Sequence, residues 1–320
     1  MKNFDRIIRK FKSSSVLVIG DVMLDEYIWG RVDRISPEAP VQVVSVEKLT
    51  HVPGGAANVA NNVAALSGSA FILGVVGRDP EREILKQEME NRGVRPILIE
   101  EDRPTIRKVR VMGQSQQLLR IDYEKKSHIE EKTESRIISA IQEVLPGAGC
   151  VVVSDYGKGI VTASLMKRLI TLVSGAGKKI IVDPKPRNMK HFKEVFLVTP
   201  NHKEASAFTG IEEESEEDLK KIGRKIVQQL NANCLITRGE KGMSLFQKQG
   251  PATHIPTTAR QVYDVTGAGD TVIATVALCL AAGATLPDAA AIANYAAGIV
   301  VGKVGTATLT TDELKSLLPT

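Results

Sequence analysis

The chain has 320 residues, 43% of them apolar, with 14 prolines and a mean hydropathy of −0.05. That is enough apolar material for one sizeable core, without the run of about 20 apolar residues that a bilayer crossing requires. Lys and Arg number 42 against 37 Asp and Glu, a formal +5, yet the basic residues are dispersed and aromatics make up only 4%; a nucleic-acid groove clusters charge beside stacking rings, so the excess points to small anionic substrates.

Met1 to Lys12 is amphipathic and basic, and lacks the apolar core and cleavage site of a secretory signal. Val16–Gly20 then reads as a buried strand, with Asp21 directly after it. Tyr27–Val32 and Val41–Val46 carry a strand pattern on either side of a Ser36-Pro37-Glu38-Ala39-Pro40 turn. Pro53-Gly54-Gly55 introduces a helical pattern over Ala56–Leu66, followed by a strand at Ala70–Val76 and a helix at Pro80–Asn91. Thr105–Met112 and Gln117–Tyr123 form a second strand pair. Helical periodicity in Glu130–Val144, Ala163–Val173 and Glu216–Leu230 alternates with strands at Cys150–Ser154, Lys179–Asp183, Val195–Thr199 and Cys234–Thr237. The acidic cluster Glu212–Asp218 is a helix start that Ser215 can cap. The apolar runs Thr271 to Ala284 and Ala289 to Val301 read as core helices. Cys150, Cys234 and Cys279 lie in apolar runs without metal-type spacing, as packing residues of a reducing compartment do.

Buried strands alternating with helices predict a three-layer α/β/α fold around a mostly parallel sheet. Ligands of such sheets gather at the carboxyl ends of the strands, where Asp21, Asp155, Lys158, Lys185 and Asn201 all fall. The strand pairs over about 25–47 and 104–123 form either a small lid sheet off the main body or extra strands at its edge.

The most informative string is Asp264-Val265-Thr266-Gly267-Ala268-Gly269-Asp270, directly before a long apolar helix. Gly267 and Gly269 let the backbone turn sharply, and the N–H groups of the helix that follows, with its dipole, favour an anion. Asp270, in the first turn, is placed to take a proton from a hydroxyl attacking a phosphate. This string closely resembles the C-terminal signature of the ribokinase-like sugar kinases of the phosphofructokinase B type.

Other segments are similar to the same family. Gly54-Gly55-Ala56-Ala57-Asn58 resembles its N-terminal signature, which implies that Gly54, Gly55 and Asn58 hold the sugar, with Asp21 and Asp25 able to accept hydrogen bonds from hydroxyls. Asn201-His202-Lys203-Glu204 matches the Asn-x-x-Glu element, which implies that Asn201 and Glu204 bind magnesium through water beside the ATP phosphates. Thr237, Gly239 and Gly242 match the loop that touches the nucleotide, and Asn294 matches a position near adenine. Asp264 and Thr266, with carbonyls from Val301 to Gly305, resemble a monovalent-cation site, for which potassium is the candidate. The family resemblance also implies a homodimer held through the lid.

Within the family, the strings Gly20 to Gly30, Arg34 to Val41, Leu118 to Asp122 and Ser154 to Gly159 resemble the kinases of D-glycero-D-manno-heptose 7-phosphate, and the likeness runs nearly from Val16 to Leu314. A sugar already phosphorylated needs a cationic clamp away from the transferred group, and Arg107, Arg110, Arg120, Lys158 and Lys185 are candidates. Such kinases are often fused to an adenylyltransferase with a His-x-Gly-His motif, which is not found before Thr320, so one kinase domain over 1–320 is expected. The expectation is a cytoplasmic enzyme that uses ATP and magnesium and binds neither nucleic acid nor membrane. A kinase for another sugar would share the phosphate-transfer motifs; a non-catalytic sugar sensor would be expected to lose Asp270 or a glycine before it.

Overall fold

The N-terminal amphipathic stretch folds as α1 (Phe4–Arg9), which buries Phe4, Ile7 and Ile8 and leads into β1 (Ser15–Gly20). Two long strands, β2 (Val22–Ile35) and β3 (Gln42–Gly55), precede α2 (Ala56–Ala65), β4 (Ser69–Val76), α3 (Pro80–Glu90) and β5 (Val94–Glu100). A second hairpin, β6 (Arg107–Gly113) and β7 (Gln116–Tyr123), is followed by α4 (Glu131–Val144), β8 (Cys150–Ser154), α5 (Ala163–Gly175) and β9 (Ile180–Asp183). Next come β10 (Leu197–Val198), α6 (His202–Thr209), α7 (Glu216–Leu230), β11 (Asn233–Thr237), β12 (Met243–Phe246) and β13 (Thr253–Ile255), then α8 (Ala268–Ala281), α9 (Leu286–Val300) and α10 (Thr311–Leu317). The computed structural model describes residues 4–114, 116–258, 262–303 and 305–318.

Nine strands form the main sheet in the order β13-β12-β11-β10-β9-β8-β1-β4-β5. From β11 to β5 the pairing is parallel, and β12 and β13 add an antiparallel edge. Successive side chains point to opposite faces, so Val16 and Val18 join the core under α2, α8 and α9, while Leu17 and Ile19 join the core under α4, α5 and α7. Both faces are covered, which explains why these strands read as continuous apolar runs rather than alternating ones. Parallel pairing also brings the carboxyl ends of β1, β8 and β9 to one rim, with Asp21, Asp155 and Asp183 there. As expected, the Ser215 side chain caps α7 by accepting from the Asp218 N–H.

Some boundaries differ from the expectation. The strand expected at Val195–Thr199 shortens to β10, because Pro200 has no N–H for a ladder and the chain turns at once into α6. The edge strand β5, which carries Arg95 and Pro96, and the short β12 and β13 have weak local patterns and were not anticipated.

The lid pairs form a separate four-stranded sheet in the order β3-β2-β6-β7, not extra strands at the main sheet's edge. They run longer than the sequence indicates, since β2 and β3 are rooted in the body: Val22 pairs with Gly55, and the Ala56 N–H donates to the Asp21 carbonyl at 3.0 Å. The root of the lid therefore stands at the rim of the main sheet. Register assigns its faces. Asp25, Tyr27, Lys108, Arg110, Arg120 and Asp122 share one, and Ile28, Leu49, Val109, Val111, Leu119 and Ile121 share the other.

Candidate active site

Asp270 lies in the first turn of α8, 6% exposed, behind the left-handed turn at Gly267 (φ 81°) that starts the helix. No side chain caps this helix, so its first N–H groups are left to other acceptors. The Ala268 N–H already donates to the Val265 carbonyl at 3.2 Å, which leaves those of Gly269 and Asp270 as the better-placed anion donors. Both oxygens of Asp270 have partners: the Asn58 amide donates to Oδ2 at 2.7 Å, and the Tyr156 hydroxyl to Oδ1 at 2.6 Å. Burial pushes its carboxyl up from 3.8 to about 6, against the lowering effect of those two bonds and of Lys185. Such a group is ionised at neutral pH and close enough to its midpoint to accept a proton. It also carries a stability cost: protonation of Asp270 favours the fold at acid pH, and that contribution is lost as pH rises through about 6.

Asp270 forms one wall of a cavity of about 170 Å³ whose other walls include Tyr156, Asp183, Lys185, Asn201, Glu204, Thr237, Gly267 and Gly269. Asn201 and Glu204 make a capping box at the start of α6, the Asn201 Oδ1 accepting from the Glu204 N–H at 2.9 Å and Glu204 Oε2 from the Asn201 N–H at 3.0 Å. The other Glu204 oxygen meets Lys185 Nζ at 2.5 Å. Asp183 is held well above the ordinary carboxylate range by burial and by the nearby charges of Glu204 and Asp270. Among the described residues no group of three or more His, Cys, Asp or Glu is arranged to hold a metal directly. The crowded carboxylates and Asn201 do fit a hydrated divalent cation that arrives with a polyphosphate, since magnesium keeps most of its waters.

On the lid side, Arg110 Nη1 donates to Asp25 Oδ1 at 2.6 Å, and its guanidinium lies 5.3 Å from the Tyr27 ring centre. Gly54 makes this packing possible, because a Cβ there would come within 2.2 Å of Asp25 Oδ2. Lys108, on the same face, is lowered by burial and by the charges of Lys158 and Arg120, partly offset by Asp25 and Asp122. Lys158 pairs with Glu124, and Arg120 with Asp122 at 2.9 Å. Lys108, Arg110, Arg120 and Lys158 thus form one cationic patch beside Asp25, and Asp25 itself lies within electrostatic reach of Asp270.

Other expected site residues lie elsewhere. Arg107 is on the opposite face of β6, paired with Glu81 at 3.1 Å and stacked over Tyr123, because side chains alternate along a strand. It does not join the cationic patch. Lys185 sits with Glu204 on the far wall of the cavity, not with the lid cations. Asp155 turns inward, accepting from the Gly157 N–H, the Lys185 N–H and the Asn188 amide. Asp21 is likewise committed, to the N–H groups of Tyr156, Lys158 and Ile160. These two carboxylates hold the loops of the rim through their backbone N–H groups.

The remaining expected residues lie at the end of β11, between β11 and β12, on α9 and ahead of α8. Thr237 faces the cavity, and Gly239 and Gly242 flank the one-turn 3-10 helix between β11 and β12. The Asn294 amide donates to the Pro256 carbonyl at 2.7 Å and is 4% exposed, so it helps shape the loop that follows β13. Asp264 accepts from the N–H groups of Thr266 at 2.9 Å and Gly305 at 3.0 Å, and the Thr266 hydroxyl together with these N–H groups holds it below the usual carboxylate range. Val301 supplies its carbonyl to the Tyr263 and Asp264 N–H groups, and Val304 is outside the described residues. Tyr156 and Asp183 fall in the strand-end clusters expected at the rim but had no role of their own in the sequence, and Lys108 was not singled out. Lys108 was the most accessible of them, since it shares a strand face with Arg110 by simple alternation.

Comparison with known proteins agrees with this geometry. A model of the pfkB family carbohydrate kinases matches residues 13–313. The chain is 47% identical over 311 residues to the bifunctional protein HldE of Desulfatibacillum aliphaticivorans, covering 96% of this chain and 64% of that one. It is 45% identical over 306 residues to the protein of the same name from Shewanella amazonensis, covering 95% and 63%. The chain thus spans about two thirds of the length of these relatives, at most 64%. Among solved structures it resembles phosphofructokinase-2 from Escherichia coli in complex with potassium (TM-score 0.80, 21% identity, 95% of this chain and 97% of that one). A ribokinase from Arabidopsis thaliana complexed with ribose and ATP gives 0.72, at 20% identity over 95% and 98% of the two chains. The fold is ribokinase-like, and the chain belongs to the pfkB family of carbohydrate kinases.

Proposed function

We propose that this chain transfers a phosphoryl group from ATP to the anomeric hydroxyl of D-glycero-D-manno-heptose 7-phosphate, giving the 1,7-bisphosphate, as a cytoplasmic step toward ADP-heptose for lipopolysaccharide. The observation that carries the reading is the position of Asp270, between the cavity walled by Asn201, Glu204 and Lys185 and the Asp25 and Arg110 pair at the lid root. The substrate assignment is supported by the strings around Gly20 to Gly30 and Ser154 to Gly159 and by the identity of up to 47% to HldE proteins.

In this reading the sugar lies between Gly54, Asn58 and the inner face of the lid, with its 7-phosphate toward Lys108, Arg110, Arg120 and Lys158. Asp270 accepts the proton of the anomeric hydroxyl as that oxygen bonds to the γ-phosphorus. The bond from phosphorus to the β–γ bridging oxygen breaks, and ADP leaves. The N–H groups of Gly269 and Asp270 and the ammonium of Lys185 stabilise the charge on the transferring group. Asn201 and Glu204 would hold magnesium through water, and the ion would supply charge neutralisation at the phosphates. Thr237, Gly239 and Gly242 line the nucleotide side, and the turn closed by Asp264 is the place assigned to potassium.

The lid's outer face supports a homodimer. Leu49, Leu119, Ile121 and Tyr123 are 55%, 55%, 38% and 45% exposed in the single chain, a contiguous apolar face of the kind that pairs with a second copy. A coupled ADP-release assay across phosphorylated and free sugars tests the substrate assignment. Heptose 7-phosphate is expected to give the highest kcat/KM, and preference for a ketohexose phosphate or an unphosphorylated sugar would overturn it.

A further inference from the structure

The loop after β8 is anchored from below and reaches across the site from above. Its backbone is fixed by Asp21, which accepts from the Tyr156 and Lys158 N–H groups, and by Asp155, which accepts from that of Gly157. From this fixed base the Tyr156 side chain crosses to α8 and places its hydroxyl 2.6 Å from Asp270 Oδ1, while its ring forms a wall of the cavity with Lys185 Nζ 5.8 Å from the ring centre. The separation lies in the range of charge-assisted O–H···O⁻ bonds. Asn58, from α2, holds the other oxygen.

We propose that Tyr156 is a positioning residue for the base: its hydroxyl, opposed by the Asn58 amide, fixes the Asp270 carboxylate in one orientation toward the cavity. The inference rests on the reading of Asp270 as the base and extends it to a residue that does not itself exchange a proton. Burial and the surrounding acids hold the Tyr156 phenol well above 10, so it stays protonated through the working range and can only donate to the carboxylate. The charged groups facing Asp270 come from several elements. Lys185, after β9, favours its ionised form; Asp25, on β2, opposes it; Asp183, at the end of β9, is coupled to Asp270. Burial is the largest of these influences, and the two hydrogen bonds, with Lys185, offset it.

Tyr156→Phe removes the hydroxyl and keeps the ring wall. The test is a ¹³C titration of selectively labelled aspartate carboxyls, with the Asp270 resonance assigned by its loss in Asp270→Asn. The midpoint is expected near 6 in the parent protein and about one pH unit higher in Tyr156→Phe. The acid limb of kcat/KM with heptose 7-phosphate should move with it, lowering the rate about fivefold at pH 6 and recovering by about pH 8.5. An unmoved Asp270 midpoint overturns the inference, whatever happens to the rate. The titration needs no substrate, so it is independent of the kinase reading; that reading fails instead if Asp270→Asn retains parental turnover.

Discussion

The two sheets bury their side chains to different ends. In the nine-stranded sheet helices cover both faces, and Leu17, Leu73 and Val152 are fully buried. In the four-stranded sheet the outer face leaves Leu49 and Leu119 55% exposed, while the inner face carries Lys108, Arg110 and Arg120 among acids and aromatic rings. The first sheet carries the acidic rim of the cavity; the second carries the two surfaces on which the proposed function depends, a charged face toward the proposed sugar site and an exposed apolar face toward the proposed second copy. Their meeting point is Asp21 to Asp25 and Pro53 to Asn58, where strand, turn and helix pass from one sheet to the other.

Deletions and charges placed in the two sheets should therefore fail differently. The largest effect is expected from Leu119→Glu with Ile121→Glu, which sets like charges against their copies across the lid: association should weaken by about 1,000-fold or more, read by sedimentation, with the monomer's unfolding midpoint little changed. Leu73→Ala, in the middle of β4, should cost about 2–5 kcal/mol in denaturant unfolding and leave KM for both substrates alone. Replacing Lys108 or Arg110 by Ala should raise the sugar KM about 10- to 100-fold, with KM for ATP unchanged, as expected when a charge-assisted contact to one substrate is lost. The smallest effect is expected from Arg107→Ala: with its guanidinium on the outer face, the sugar KM should stay within about threefold. An Arg107 effect equal to that of Arg110 would break the assignment of the faces.

How much of this was legible in the sequence follows from what each signal depends on. β1, β8 and β9 were readable because a strand buried on both faces is an unbroken apolar run, and the turn at Gly267 because a left-handed start (φ 81°) before a long helix asks for glycine. Positions relative to a motif were also readable: Asn201, Glu204 and Asp270 line one cavity, and Asn58 donates to Asp270. Which face a lid residue occupies was not, since a shift of one residue exchanges Arg107 for Lys108. Nor could the sequence show that Asp21 and Asp155, which have the composition and placement of binding residues, also hold the rim loops, because their N–H partners are set by the fold. Tyr156 was hidden for a related reason, because its partner lies 114 positions away in the chain.

The central claim is that Asp270 is the base in phosphoryl transfer, and Asp270→Asn tests it most directly when ADP release is measured alongside the binding of ATP and sugar. The account predicts a loss of turnover of about 1,000-fold or more with both affinities within about threefold. It also predicts a protein at least as stable as the parent at pH 8, because the ionised, desolvated carboxylate is gone. Near-parental turnover in that variant would contradict the account.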